Sequence, residues 1–168
     1  MTSFPLRYVV DASVGIKLFV EEEFSEQAHA LFSYLAADPP AELYIPDLFY
    51  IEYTNILLKY TRRFGRSLED AQADIVDIRL LSLKSTSTAD LMEDALLLAS
   101  EKNLSAYDAC YAVLAQNLDI PLITVDKQLS KAIPFSKFLG DLNLLPFEEQ
   151  LTLGMQVRSL SPPQMRTD

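Results

Sequence analysis

The sequence contains one cysteine, Cys110, and one histidine, His29, among 168 residues. A single thiol excludes an internal disulfide framework and any multi-cysteine zinc site, and it suits a reducing compartment. Cations are scarce as well: fourteen Lys and Arg stand against twenty-four Asp and Glu, a net charge of −10. That deficit opposes the long-range attraction to phosphate backbones on which most sequence-blind nucleic-acid binders rely. Two broad readings remain, an acidic surface kept for solubility or carboxylates gathered to hold a hard cation. No apolar run is long enough to span a membrane, and residues 1–8 lead into a strand-like segment instead of a signal peptide. Internal repeats and low-complexity segments are absent. What is present is an ordinary globular composition, 49% apolar and 23% charged, enough to bury one core without staples. The expectation is a soluble, cytoplasmic protein with one main domain.

Short apolar runs alternate with stretches of helical periodicity. Residues 6–10 predict a buried strand ending at Asp11, and 122–125 predict another ending at Asp126. Further short strands are expected over 43–45 and 80–84, and 138–139 with 142–145 can add an edge strand. Helices are predicted over 14–20, from an N-cap at Ser25 to the stop at Pro39-Pro40, and over 48–61 behind a capping Asp47. Others are expected from Ser67 to 79, from a capping Thr88 to 102, over 105–118 and over 126–133. Ser105-x-x-Asp108 reads as a capping box with Asp in place of Glu. This order implies an α/β fold with a mainly parallel sheet and helices on both faces. Such sheets bind ligands outside the carboxyl ends of their strands, where Asp11 and Asp126 fall. The domain is expected over 1–145, followed by a tail over 146–168, partly disordered or held by a partner.

Four carboxylates stand apart from their surroundings. Asp11 is the only charged residue between Arg7 and Lys17, and Asp108 the only one between Lys102 and Asp119. Glu52 is the only acidic residue between Asp47 and Glu69, and Asp126 ends the run Pro-Leu-Ile-Thr-Val. An isolated buried carboxylate costs several kcal/mol unless it is neutralised, paired or bound to a metal. Capping accounts for Asp11, Asp108 and Asp126 but does not reach Glu52, for which a salt bridge to a neighbouring helix is the plain alternative. A shared divalent cation would neutralise all four. Oxygen ligands without a cysteine cluster suit Mg²⁺ or Mn²⁺, one or two ions, which activate water and stabilise the oxygens of an in-line phosphoryl displacement. Thr124 and Ser13 carry hydroxyls placed to support Asp126 and Asp11, or to serve as cap and turn residues.

These segments resemble the PIN-domain ribonucleases, in particular the VapC-like toxins of type II toxin–antitoxin pairs. The matching pieces are Val9-Val10-Asp11-Ala12-Ser13, then Pro46-Asp47 through Glu52 and Asn55. Leu104-Ser105-Ala106-Tyr107-Asp108-Ala109 and Leu122-Ile123-Thr124-Val125-Asp126 complete the set, which covers about residues 6–140. The resemblance implies a PIN-like three-layer α/β/α domain with a mainly parallel central sheet. It also implies a divalent-metal site at Asp11, Glu52, Asp108 and Asp126, serving catalysis and metal binding together. The implied activity is RNA hydrolysis leaving a 5′-phosphate, by a homodimer controlled by an antitoxin protein. Extra length after about residue 140 departs from the compact toxins. The helix around Glu52 is apolar nearly all round, which fits burial on several sides or a dimer interface.

Lys59, Arg62, Arg63 and Arg66 bunch four cations in eight residues. They read either as a local grip on an RNA backbone or as charges favourable to a helix C-terminus. Tyr50, Tyr53, Tyr107 and Tyr111 fall at helical spacing, as core or interface residues or as stacking platforms for bases. The alternative to an enzyme is a PIN-like binding or scaffolding module with little or no catalysis.

Overall fold

The structure, a computed structural model, describes residues 4–149. Its frame is a five-stranded, wholly parallel sheet in the order β3-β2-β1-β4-β5. The strands are β1 Arg7–Val10, β2 Glu42–Pro46, β3 Lys84–Thr86, β4 Leu122–Thr124 and β5 Ser136–Phe138. Val9 and Val10 of β1, Leu43 and Ile45 of β2, and Leu122 and Ile123 of β4 are fully buried. Strands covered on both faces need such continuous apolar runs. The helices are α1 Ala12–Gly15, α2 Ser25–Ser33, α3 Phe49–Phe64, α4 Leu68–Leu80, α5 Met92–Lys102, α6 Ala106–Leu118 and α7 Lys127–Ala132. The chain builds outward from β1 to β2 and β3, then returns through α5 and α6 to lay β4 on the other side of β1. Right-handed crossovers therefore put α2–α4 and α5–α7 on opposite faces of the sheet. The point of reversal lies between β1 and β4, the place where open α/β sheets leave a crevice.

Several local expectations are corrected. The stretch expected as a helix over 14–20 is a single turn, α1, continued by a 3₁₀ turn Ile16–Leu18. Ser25 does not cap α2: the preceding residue, Phe24, has φ 69°, and the Ser25 hydroxyl instead donates to the Val20 carbonyl and accepts from the Glu22 N–H. Nor does Asp47 cap α3. Its carboxylate accepts the N–H of Thr88 at 2.8 Å as well as the Thr88 hydroxyl, clamping the start of α3 to the loop after β3. Thr88 is thereby diverted from capping, and it opens a 3₁₀ turn, Thr88–Asp90, before α5 begins. The third strand falls over Lys84–Thr86 instead of 80–84, because α4 runs on to Leu80. Residues 142–145 form no strand, since a 3₁₀ turn, Leu139–Asp141, follows β5.

Packing continues past the boundary expected at 145. The Tyr34 hydroxyl donates to the Leu145 carbonyl at 2.9 Å, and the Phe147 N–H donates to Ser33 Oγ at 2.9 Å. The expected tail over 150–168 lies outside the described residues.

The end of α1 packs against α3. Gly15 faces the fully buried Phe49 ring, and a Cβ at Gly15 would lie 2.7 Å from Phe49 Cζ. Tyr53, one turn further along α3, is 1% exposed, and its hydroxyl has no hydrogen-bond partner. Gly15→Ala is therefore expected to lower unfolding free energy by about 1–3 kcal/mol through overpacking. Tyr53→Phe removes an unsatisfied polar atom and is expected to be neutral or stabilising. Urea unfolding of the two variants checks both signs.

Candidate active site

All strands of a parallel sheet present their carboxyl ends along one edge, and the helices that follow begin there. Asp11 directly follows β1 and caps α1, and Asp126 caps α7 just beyond β4. Glu52 lies in the first turn of α3 and Asp108 in the first turn of α6. The four isolated carboxylates thus occupy four helix starts, where unpaired N–H groups tolerate negative charge. They line one cleft of about 430 Å³, together with Ser13, Asn55, Tyr107 and Tyr111.

Burial grades across this cleft. Asp11 forms the floor at 7% exposure, Glu52 and Asp108 are half-buried walls, and Asp126 is exposed at the rim. The Asp11 backbone N–H donates to the Ile123 carbonyl, tying the floor to β4. Asp11 Oδ1 accepts from the Ser13 hydroxyl and from the Val14 N–H at 3.1 Å. Burial raises the Asp11 pKa, while the hydroxyls of Ser13 and Thr124 and the nearby backbone N–H groups pull it back. Thr124 is fully buried, and its Oγ1 also accepts the Asp126 N–H at 3.0 Å. One hydroxyl therefore stands between two of the four acids.

Among the described residues Glu52 makes no salt bridge, contrary to the plain alternative: its Oε2 accepts from the Tyr111 phenol of α6 at 2.5 Å. Burial raises the Glu52 pKa, with the charges of Asp11 and Asp108 adding to the rise and the Tyr111 bond opposing it. Asp108 realises the capping box in a variant form. Its N–H donates to Ser105 Oγ at 3.0 Å, and the Ser105 hydroxyl donates back to Asp108 Oδ2 at 2.7 Å. Asp126 Oδ1 accepts the N–H groups of Gln128 and Leu129 at 2.7 and 3.0 Å. Capping and membership of the cleft are compatible roles for these side chains.

The donor set fits a hard divalent cation in its chemistry: four carboxylates, with the Asn55 amide and Ser13 hydroxyl beside them, and no sulfur or imidazole lining the cleft. Salt bridges among the described residues join Arg7 and Lys84 to Glu42, Lys17 to Glu22, Arg66 to Asp74 and Lys102 to Glu101. None reaches the four acids. In spacing the carboxylates stay apart, and among the described residues no three acidic, histidine or cysteine groups form a coordinating cluster. Like charges facing one cleft repel, and each carboxylate is drawn back by its own hydroxyl, phenol or amide partner.

The sequence profile of the PIN domain matches residues 8–133. The chain belongs to the PIN-domain family. It is 36% identical over 132 residues to Ribonuclease VapC3 of Pyrobaculum aerophilum, an alignment covering 77% of this chain and 96% of that protein. The crystal structure of PAE2754 from the same organism superposes with a TM-score of 0.62 at 24% identity, covering 90% of this chain and 96% of that one. A toxin–antitoxin complex from Klebsiella pneumoniae superposes with a TM-score of 0.56 at 20% identity, over 79% of this chain and 97% of that one. These two structures support the PIN fold, and its expected α/β/α architecture is the observed one.

Within this PIN domain the basic group divides. Lys59, Arg62 and Arg63 are exposed on the last turns of α3, outside the cleft. Arg66 is engaged elsewhere: its guanidinium is bound to Asp74 of α4, with Nε 2.7 Å from Oδ2, and supplies the cation that this 6% exposed carboxylate lacks otherwise. From the sequence Tyr111 was legible as a core or interface residue or a stacking platform, not as a partner of Glu52. Its spacing of three from Asp108, which puts both on one face of α6, was the available signal. Arg66→Ala is expected to cost about 1.5–3 kcal/mol by stranding Asp74, a loss that urea unfolding measures and that a purely surface arginine would not produce.

Proposed function

We propose that this PIN domain is a metal-dependent endoribonuclease acting as the toxin of a toxin–antitoxin pair. One observation carries the reading: four carboxylates without a cationic side-chain partner among the described residues share one cleft at the reversal point of the sheet. The 36% identity to Ribonuclease VapC3 supports RNA as the substrate. Asp11, Glu52, Asp108 and Asp126 would hold one or two Mg²⁺ or Mn²⁺ ions, directly or through water. A divalent cation bound there supplies charge neutralisation and an activated water for phosphodiester hydrolysis. Ser13 and Thr124 orient the buried Asp11 through their hydroxyls. Asp126, at the open rim, is the carboxylate most accessible to an arriving strand.

The RNA backbone is proposed to run along α3. Lys59 and Arg63 lie seven and eleven residues beyond Glu52, which returns both to its stripe of the helix, roughly 10 and 16 Å further along the axis. Arg62 sits beside that stripe. A basic antitoxin segment is the partner that an acidic cleft would accept, in the cytoplasm. No helix among the described residues is long and apolar enough to cross a membrane. A homodimer is supported by exposed apolar side chains on two helices that pack together, Ile51 and Leu58 of α3 with Val76 and Leu80 of α4. A 1–145 catalytic domain with an appended 146–168 segment completes the reading. The binding-module alternative is favoured by one observation, that no three of these groups stand at coordinating spacing.

With purified protein and single-stranded RNA, Mg²⁺ or Mn²⁺ is expected to support cleavage that EDTA stops. Asp11→Asn should lower it by at least about 100-fold, beyond the loss typical of an outer partner. Unchanged cleavage in Asp11→Asn would remove the site assignment, and absent cleavage with intact partner binding would favour the binding module. Separately, Arg62→Glu with Arg63→Glu is expected to weaken RNA binding at low salt and flatten its salt dependence. Equal affinity would leave those cations only the helix end to serve.

A further inference from the structure

Tyr111 is the one phenol whose oxygen meets a cleft carboxylate. Its ring is 1% exposed, packed within the core where α6 lies against β1 and β2. Its hydroxyl crosses to α3, where it donates to Glu52 Oε2 at 2.5 Å, a contact between residues 59 apart in sequence. An ionised carboxylate only accepts, so the phenol proton runs to Glu52. The hydroxyl thereby ties the second turn of α6 to the first turn of α3, at the level of the carboxylates. Oε2 of Glu52 is engaged by this bond, and among the described residues Oε1 carries no hydrogen bond.

A buried tyrosine does not require such a partner in this fold. Tyr53 is equally buried on the same helix as Glu52, and its hydroxyl stays unpaired. The difference is direction. The Tyr53 oxygen lies nearer Asp74 and Arg66, at the α3–α4 junction, whereas the Tyr111 oxygen opens onto the cleft.

We propose that Tyr111 is a positioning residue of the carboxylate cleft, whose phenol fixes Glu52 through Oε2 and leaves Oε1 for a bound divalent cation. The inference rests on the metal-site reading above and adds to it a neutral donor that acts through Glu52. A lysine in the same place would compete with the cation for the carboxylate, and a phenylalanine would let the Glu52 side chain turn freely. A neutral phenol orients the acid and keeps its charge available.

The test is titration of full-length protein with Mn²⁺ alone, without RNA, by calorimetry, beside urea unfolding in EDTA. Tyr111→Phe is expected to weaken Mn²⁺ affinity about 10- to 100-fold, the range found for outer-sphere partners of metal ligands. Tyr53→Phe, which deletes an equally buried hydroxyl away from the cleft, should bind Mn²⁺ as the wild type does. In a Glu52→Gln background, adding Tyr111→Phe should cost no further affinity, because the phenol acts through that carboxylate. Wild-type affinity in Tyr111→Phe overturns the inference whatever its stability, and so does an additive loss in the double variant. Wild-type protein that fails to bind Mn²⁺ overturns the metal site and the inference together. Binding that Asp11→Asn abolishes and Tyr111→Phe leaves intact overturns the inference alone.

Discussion

A carboxylate buried at the end of the central strand is the constraint around which the rest of this molecule is arranged. Asp11 follows β1, the middle strand, at 7% exposure. Charge at such a point costs several kcal/mol unless its surroundings compensate. Compensation comes from the geometry of a parallel sheet, whose helices all start along the same edge. Asp11 gains the N–H of Val14 and the Ser13 hydroxyl from its own turn, and the Thr124 hydroxyl from the neighbouring strand β4. Glu52 and Asp108 enter from the first turns of α3 and α6, and Asp126 from the cap of α7. The fold thus concentrates acids where its backbone can tolerate them.

Tolerance is not neutralisation. The cations that are paired among the described residues serve other tasks. Arg7 and Lys84 bracket Glu42 at the far side of the sheet's β2 strand, where, with Tyr44, they lower its pKa to about 2. Lys17 and Tyr60 converge on Glu22, tying the turn after α1 to α3, and Arg66 holds Asp74. The acidic excess therefore has two components with different meaning. One part is surface charge, such as the exposed Glu21 and Glu23. The other is the cleft, which concentrates four acids and offers them only neutral donors. Net charge alone does not separate these components.

Elements whose boundaries are set by local chemistry were legible in advance. Ser67 and Ser105 cap α4 and α6, Gly65 ends α3 in the left-handed conformation, and Asp126 caps α7, all as their side chains and backbones prescribe. Ser25, Asp47 and Thr88 misled for a common reason. Each is a good capping residue whose hydrogen bonds are claimed elsewhere, and for Asp47 and Thr88 the competing partner is the other, about forty residues away. A sequence window cannot see such a competitor. The isolated acids were legible because an ionisable residue amid apolar neighbours demands an explanation that polar surroundings would supply unremarked.

Sequence alone thus determined the alternation of strands and helices, the identity of the four acids and their order, since composition and spacing act locally along the chain. Only tertiary structure decided that the return of β4 to the flank of β1 brings Asp126 into the cleft with Asp11. It also decided that Tyr111 meets Glu52, and that Arg66 pairs with Asp74. These are choices between partners far apart in the chain. They are settled by which groups are buried together, a property that no single segment possesses.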